Sequence, residues 1–137
     1  MRYLTIALAL FALVPACSGP RQPVQARTPE VRRLEPDAFA RLLEDTTTLL
    51  VNAESAPAGE IPGTKLLSWG ARVLDTMKTV QPDVTRPIAV YCRQGLRSDS
   101  LAVQLARAGY SNICVLQGGY RAWVERGLPF RLYDRAQ

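Results

Sequence analysis

The chain has 137 residues, 47% of them apolar and 21% charged, which suits one globular domain and excludes a wholly disordered, collagenous or low-complexity protein. Its net charge is +5, but the cations are scattered and do not interleave with aromatic residues, so they describe a mildly positive surface that favours small anions and carry no nucleic-acid signature. Histidine is absent, which excludes His general-base catalysis, Ser-His and Cys-His pairs and His-ligated metal; the three widely separated cysteines make no zinc site.

Arg2 precedes an apolar stretch of 12 residues, 3–14. A membrane-spanning helix needs about 20, so the stretch fits the hydrophobic region of a secretory signal. The sequence Val14-Pro15-Ala16-Cys17 resembles a bacterial lipoprotein box. The resemblance implies a signal peptide over residues 1–16, cleavage between Ala16 and Cys17, and diacylglycerol on the Cys17 sulfur. It implies a protein of the cell envelope, lipid-anchored on the periplasmic side; secretion to the periplasm without lipid is the alternative. Ser18 after the lipidated Cys17 would permit transfer to an outer membrane. Residues 17–30 would form the lipidated cysteine and a tether, since Pro20, Pro23 and Pro29 block helix. The folded domain is expected over residues 31–133.

A helix is expected to start at Pro36-Asp37, with Asp37 as cap or in the first turn and Phe39, Leu42 and Leu43 on one face. Residues 48–53 read as a buried strand, 57–64 as loop, 65–67 as a very short strand and 71–77 as a helical turn or two. A further loop covers 82–87, and Ile88-Ala89-Val90-Tyr91 reads as a buried strand. Residues 92–96 form a loop. Residues 97–108 form a helix whose stripe is Leu101, Leu105 and Ala108, ended by Gly109. A strand over 113–116, a Gly118-Gly119 turn and a helix over 120–126, stopped by Gly127 and Pro129, complete the chain. Strands alternating with helices predict an α/β fold: a mostly parallel sheet with helices on both faces.

The segment V-Y-C-R-Q-G-L-R-S puts Cys92 directly after a buried strand and before a helix. Ligands of open α/β sheets bind outside the carboxyl ends of strands. A tight loop there turns backbone N–H groups inward, and the helix N-terminus adds roughly half a positive charge. Such a nest holds an anion and stabilises a thiolate. Arg93 and Arg97 add formal charge, and Gly95 gives the loop backbone freedom. Without His, a reactive Cys92 depends on these groups for activation.

The segment C-R-Q-G-L-R-S resembles the active-site loop of rhodanese-like sulfurtransferases, typically Cys-Arg-x-Gly-x-Arg-Ser. The similarity runs on through residues 102–130, with Gly118, Gly119, Trp123, Gly127 and Pro129 at the family's spacings. It implies a rhodanese-like fold with a central, mostly parallel five-stranded sheet. It also implies a persulfide mechanism: Cys92 takes a sulfane sulfur from thiosulfate or a similar small anionic donor and passes it to cyanide or a thiol. Arg93 and Arg97 would orient the anion, and Gln94, Gly95, Leu96 and Ser98 would add backbone or side-chain contacts. No metal or organic cofactor is required.

The amino-terminal half departs from the family pattern. Asp-x-Arg becomes Asn52-Ala53-Glu54, and Gly-His-Ile-Pro-Gly-Ala becomes Gly59-Glu60-Ile61-Pro62-Gly63-Thr64. The departures bear on the pocket rim and on donor preference. Two other functions compete. Cysteine phosphatases place five residues between Cys and Arg, whereas four separate Cys92 from Arg97, so a phosphate would be held poorly. A non-catalytic rhodanese-like binding module at the envelope is the other alternative, against which stand Cys92 and both arginines. Cys114 reads as a core residue. Trp69, Trp123, Tyr110 and Tyr120 read as packing, Glu54 and Glu60 as solvated, and Asp99 and Ser100 as complements to the helix amide end.

Overall fold

A computed structural model describes residues 30–66 and 70–133. The leader, Cys17, all of the tether but Glu30, and Trp69 lie outside the described residues. The elements in chain order are β1 (Glu30–Leu34), α1 (Pro36–Leu42), β2 (Leu49–Asn52), β3 (Gly59–Glu60), β4 (Lys65–Leu66), α2 (Val73–Val80), β5 (Ile88–Tyr91), α3 (Leu96–Arg107), β6 (Asn112–Leu116), α4 (Gly119–Glu125) and β7 (Arg131–Leu132).

The main sheet has the order β1-β6-β5-β2-β4. All its pairings are parallel, with Ile88 beside both Leu49 and Ile113, and Leu34 beside Leu116. Four strands have four or five residues, and β4 adds a two-residue edge. The central strands β2 and β5 are buried along their whole length, which the apolar runs 49–51 and 88–91 demand in a sheet covered on both faces; the buried Asn52 closes β2.

Strand alternation divides the core in two. On one face Leu49, Val51, Ile88, Val90, Ile113 and Val115 meet Val73 and Met77 of α2 and Leu101, Ala102 and Leu105 of α3. On the other face Leu50, Ala89, Tyr91 and Leu116 meet Phe39 of α1 and Trp123 of α4. Phe39 and Trp123 pack edge to face at 6.2 Å, and the Trp123 indole N–H donates to the Pro129 carbonyl at 2.8 Å. Tyr110 is a packing residue whose hydroxyl donates to the Gln81 carbonyl at 2.9 Å.

Three local expectations need correction. The stretch 57–64 is not all loop: β3 pairs antiparallel with β7, Gly59 beside Leu132 and Glu60 beside Arg131. The inner stripe of α3 is Ser98, Leu101, Ala102 and Leu105, while Ala108 caps the helix and is exposed, because its buried face ends one turn earlier. Glu30 belongs to β1, an edge strand that the sequence reading left out. Asp37 does stand in the first turn of α1, where Arg126 donates to its Oδ2 at 2.6 Å. That exposed pair draws the Asp37 carboxyl below its usual range, chiefly through the hydrogen bond.

Candidate active site

Cys92 follows β5 at the carboxyl end of the sheet and is 2% exposed. It forms the floor of an open cleft of about 220 Å³ lined by Glu54, Cys92, Arg93, Gln94, Leu96 and Arg97. Gly95 turns the chain into α3 with φ +103°, a conformation that L side chains resist. That turn aims the Gly95 N–H at the Cys92 sulfur, 3.1 Å away. Ser98 is fully buried beneath the loop; its hydroxyl donates to the Gly95 carbonyl at 2.8 Å and lies 3.5 Å from the sulfur. The first hydrogen bond ending in α3 runs from the Asp99 N–H to the Gly95 carbonyl. The N–H groups of Leu96 and Arg97 precede it, at the positively polarised end of the helix.

The far side of the loop is fixed by α4. Tyr120 N–H donates to the Cys92 carbonyl at 2.8 Å and Arg121 N–H to the Arg93 carbonyl at 3.2 Å. On the cleft side, the Gly95 N–H meets the Cys92 sulfur and the Arg93 N–H donates to Glu54. The close approach requires Gly119: at φ +64°, a Cβ there would stand 2.5 Å from the Cys92 carbonyl oxygen.

The rim carries both expected arginines. Leu96, 76% exposed, and the exposed Gln94 complete the mouth. Glu54, expected to be solvated, is instead part of the site. Its carboxylate pairs with the Arg97 guanidinium and accepts the Arg93 backbone N–H at 3.3 Å, and its side chain is 17% exposed. The Glu54 N–H donates to Oδ1 of the buried Asn52 at 3.1 Å. Glu60 is not solvated either. It accepts the Tyr133 hydroxyl at 2.5 Å and faces Arg131 at 4.0 Å, with 15% of its side chain exposed. Burial, then the bond to this anionic acceptor, pushes the Tyr133 phenol up to about 12. Asp99 does more than complement the helix end, since Arg33 of β1 approaches its Oδ1 to 3.1 Å.

The departing Gly59-Glu60-Ile61-Pro62-Gly63-Thr64 loop is held by Tyr91. Its hydroxyl accepts the Ile61 N–H at 3.0 Å and shares a 2.7 Å bond with Thr64. Tyr91 stacks on Tyr120 at 6.3 Å, so the loop, β5 and α4 form one wall beside the cleft. Cys114 is buried and free, and burial pushes its thiol up. It pairs in register with Ala89 and so projects to the sheet face opposite Cys92.

Parallel sheet, cysteine at a strand end and helix-capped loop define an α/β domain with a thiol in an open cleft at the carboxyl end of its sheet. The rhodanese-like domain family matches residues 35–126, and the chain belongs to that family. A sulfurtransferase of Allochromatium vinosum is 30% identical over 103 residues, which cover 72% of this chain and 94% of the relative. The thiosulfate sulfurtransferase GlpE of Pseudomonas fluorescens is 28% identical over 97 residues, covering 69% and 85%. Among solved structures, a rhodanese-related protein from Thermoplasma volcanium superposes with a TM-score of 0.62 at 21% identity, covering 74% of this chain and 99% of that one. The polysulfide-sulfur transferase homodimer from Wolinella succinogenes gives 0.61 at 23% identity, covering 78% and 82%. The two structures share the fold; the two sequence relatives support sulfur transfer as the general class of activity.

Proposed function

We propose that the chain is a rhodanese-type sulfurtransferase that works through a persulfide on Cys92. The Cys92 thiolate attacks the sulfane sulfur of a small anionic donor such as thiosulfate. The donor's S–S bond breaks, sulfite leaves with the bonding pair, and Cys92–S–S⁻ remains. Cyanide or a thiolate then attacks the outer sulfur, leaving as thiocyanate or a new persulfide and returning the thiolate. The sulfur carries one negative charge before and after each transfer, so no metal or redox partner is needed.

The observation that carries this reading is the 3.1 Å approach of the Gly95 N–H to the Cys92 sulfur under a rim holding Arg93 and Arg97. That backbone donor lies within reach of the sulfur, where it can hold the group that Cys92 carries. The helix-end N–H groups offer a resting place to the departing anion and then to the outer persulfide sulfur. We further propose that the domain acts from the cell envelope, tethered through Cys17. Mass spectrometry after thiosulfate treatment tests the mechanism: the protein gains one sulfur that cyanide removes, and Cys92→Ser gains none. A folded protein with free Cys92 that gains no sulfur from thiosulfate or from an organic hydropersulfide overturns it.

A further inference from the structure

We infer that Glu54 is a charge filter on the Cys92 cleft, selecting sulfur donors by how much negative charge they carry. The inference rests on Cys92 being the reacting group and adds the residue that sets the donor class.

Glu54 is an anion already seated where an anionic donor would go. One carboxylate oxygen pairs with Arg97 and the other accepts the Arg93 N–H at 3.3 Å. The backbone beneath is held by the bond from the Glu54 N–H to Asn52, itself 2% exposed, so the carboxylate is placed by a rigid strand end. Glu54 and Arg93 also form the boundary between the cleft over Cys92 and a second cavity of about 260 Å³ that reaches Asn52, Ala58, Gly59 and Tyr120. A donor approaching from either side meets the same carboxylate.

The rim therefore holds two formal positive charges, Arg93 and Arg97, and one negative, Glu54, above the Cys92 sulfur. A doubly charged inorganic donor must break Glu54 away from Arg97 and the Arg93 N–H, or else approach against it. These groups lie within a Debye length of one another, about 8 Å at physiological salt, so screening leaves the opposition largely in place. A donor of lower charge avoids most of it. An organic hydropersulfide, R–S–SH, fits this requirement. The Cys92 thiolate attacks its terminal sulfur, the R–S–SH bond breaks, RS⁻ leaves, and Cys92–S–SH forms with no net oxidation.

The test uses two alkylating agents of nearly equal size, anionic iodoacetate and neutral iodoacetamide, on the full chain, with labelling of Cys92 read by peptide mass. In the unaltered protein the iodoacetate-to-iodoacetamide rate ratio does not exceed that of a free small thiol, despite the two rim arginines. In Glu54→Gln the ratio rises about five-fold or more. The KM for thiosulfate falls by a similar factor while kcat stays within about two-fold. Glu54→Asp, which keeps the charge, keeps the low ratio. An unaltered protein whose ratio is well above that of the free thiol, or a Glu54→Gln ratio that does not move, overturns the filter. A ratio that rises while neither protein takes sulfur from thiosulfate or a hydropersulfide overturns sulfur transfer and leaves the filter standing. A working persulfide cycle with an unmoved ratio does the reverse.

Discussion

The Cys92 carbonyl accepts a hydrogen bond from the Tyr120 N–H at 2.8 Å, so the loop bearing the thiol is pinned by a helix that begins 27 residues after it (119 minus 92). Gly119 makes that contact possible. In Gly119→Ala the new methyl carbon meets the Cys92 carbonyl oxygen in a backbone conformation unfavourable to L residues. Left-handed strain and overpacking together cost about 2–4 kcal/mol. Urea unfolding should register that loss, and sulfur uptake from thiosulfate should fall further than stability alone explains, because the Gly95 N–H loses its approach to the Cys92 sulfur.

Cys114 is buried in the sheet, away from the cleft that Cys92 lines. Desolvation raises its pKa, so the folded state holds it protonated. A neutral alkylating agent at neutral pH should label Cys92 in the native protein and reach Cys114 only after unfolding. The stabilising contribution of the neutral thiol is present in full below the unfolded-state value and is lost as pH rises through the folded one. Cys114→Ala should flatten that alkaline decline. Labelling of Cys114 in the native protein at a rate equal to Cys92 would contradict this assignment.

Tyr133 provides a second alkaline signature. Its phenol, half-buried and bonded to Glu60, is pushed up to about 12 from an ordinary value of 10.0. Folding thus favours the protonated form; its contribution is complete below pH 10 and disappears between pH 10 and 12. The phenolate absorbance of the protein minus that of Tyr133→Phe should show a single step near the upper value. A step near the ordinary one would mean that the Glu60 bond does not form in solution.

On the proposed attachment, mass spectrometry of membrane-derived protein should find residues 1–16 missing and acyl chains on Cys17. Cys17→Ala should appear in the soluble fraction. Each buried methylene of an acyl chain adds roughly 0.8 kcal/mol, so two or three chains hold the protein stably. Recovery of unacylated Cys17 from the soluble fraction would refute the anchor.

Legibility in the sequence followed burial. Strand β5 was readable to the residue, since four apolar side chains between Pro87 and the Cys92 loop have nowhere to go but a covered sheet. Strand β1 was not, because an edge strand with Arg32 and Arg33 exposed lacks both an apolar run and a clean alternation. The two-residue pairing of β3 with β7 depends on partners far apart in the chain, which no local pattern records. At the site, Cys92, Gly95 and both arginines could be placed because one short segment carries them. Glu54 could not, since its partner Arg97 lies 43 positions away and a lone carboxylate in a loop resembles any solvated one. The one available signal was an acidic residue immediately after a buried strand, at the end of the sheet where ligands bind.

The uniform direction of the main sheet also orients the molecule. Glu30 opens β1 at the pole where every parallel strand begins, while Cys92 lies just past the end of β5 at the other pole. Five residues of strand separate the two poles by about 17 Å. Anything that grips the chain upstream of Glu30 therefore holds the domain by its base and leaves the cleft over Cys92 open at the far pole.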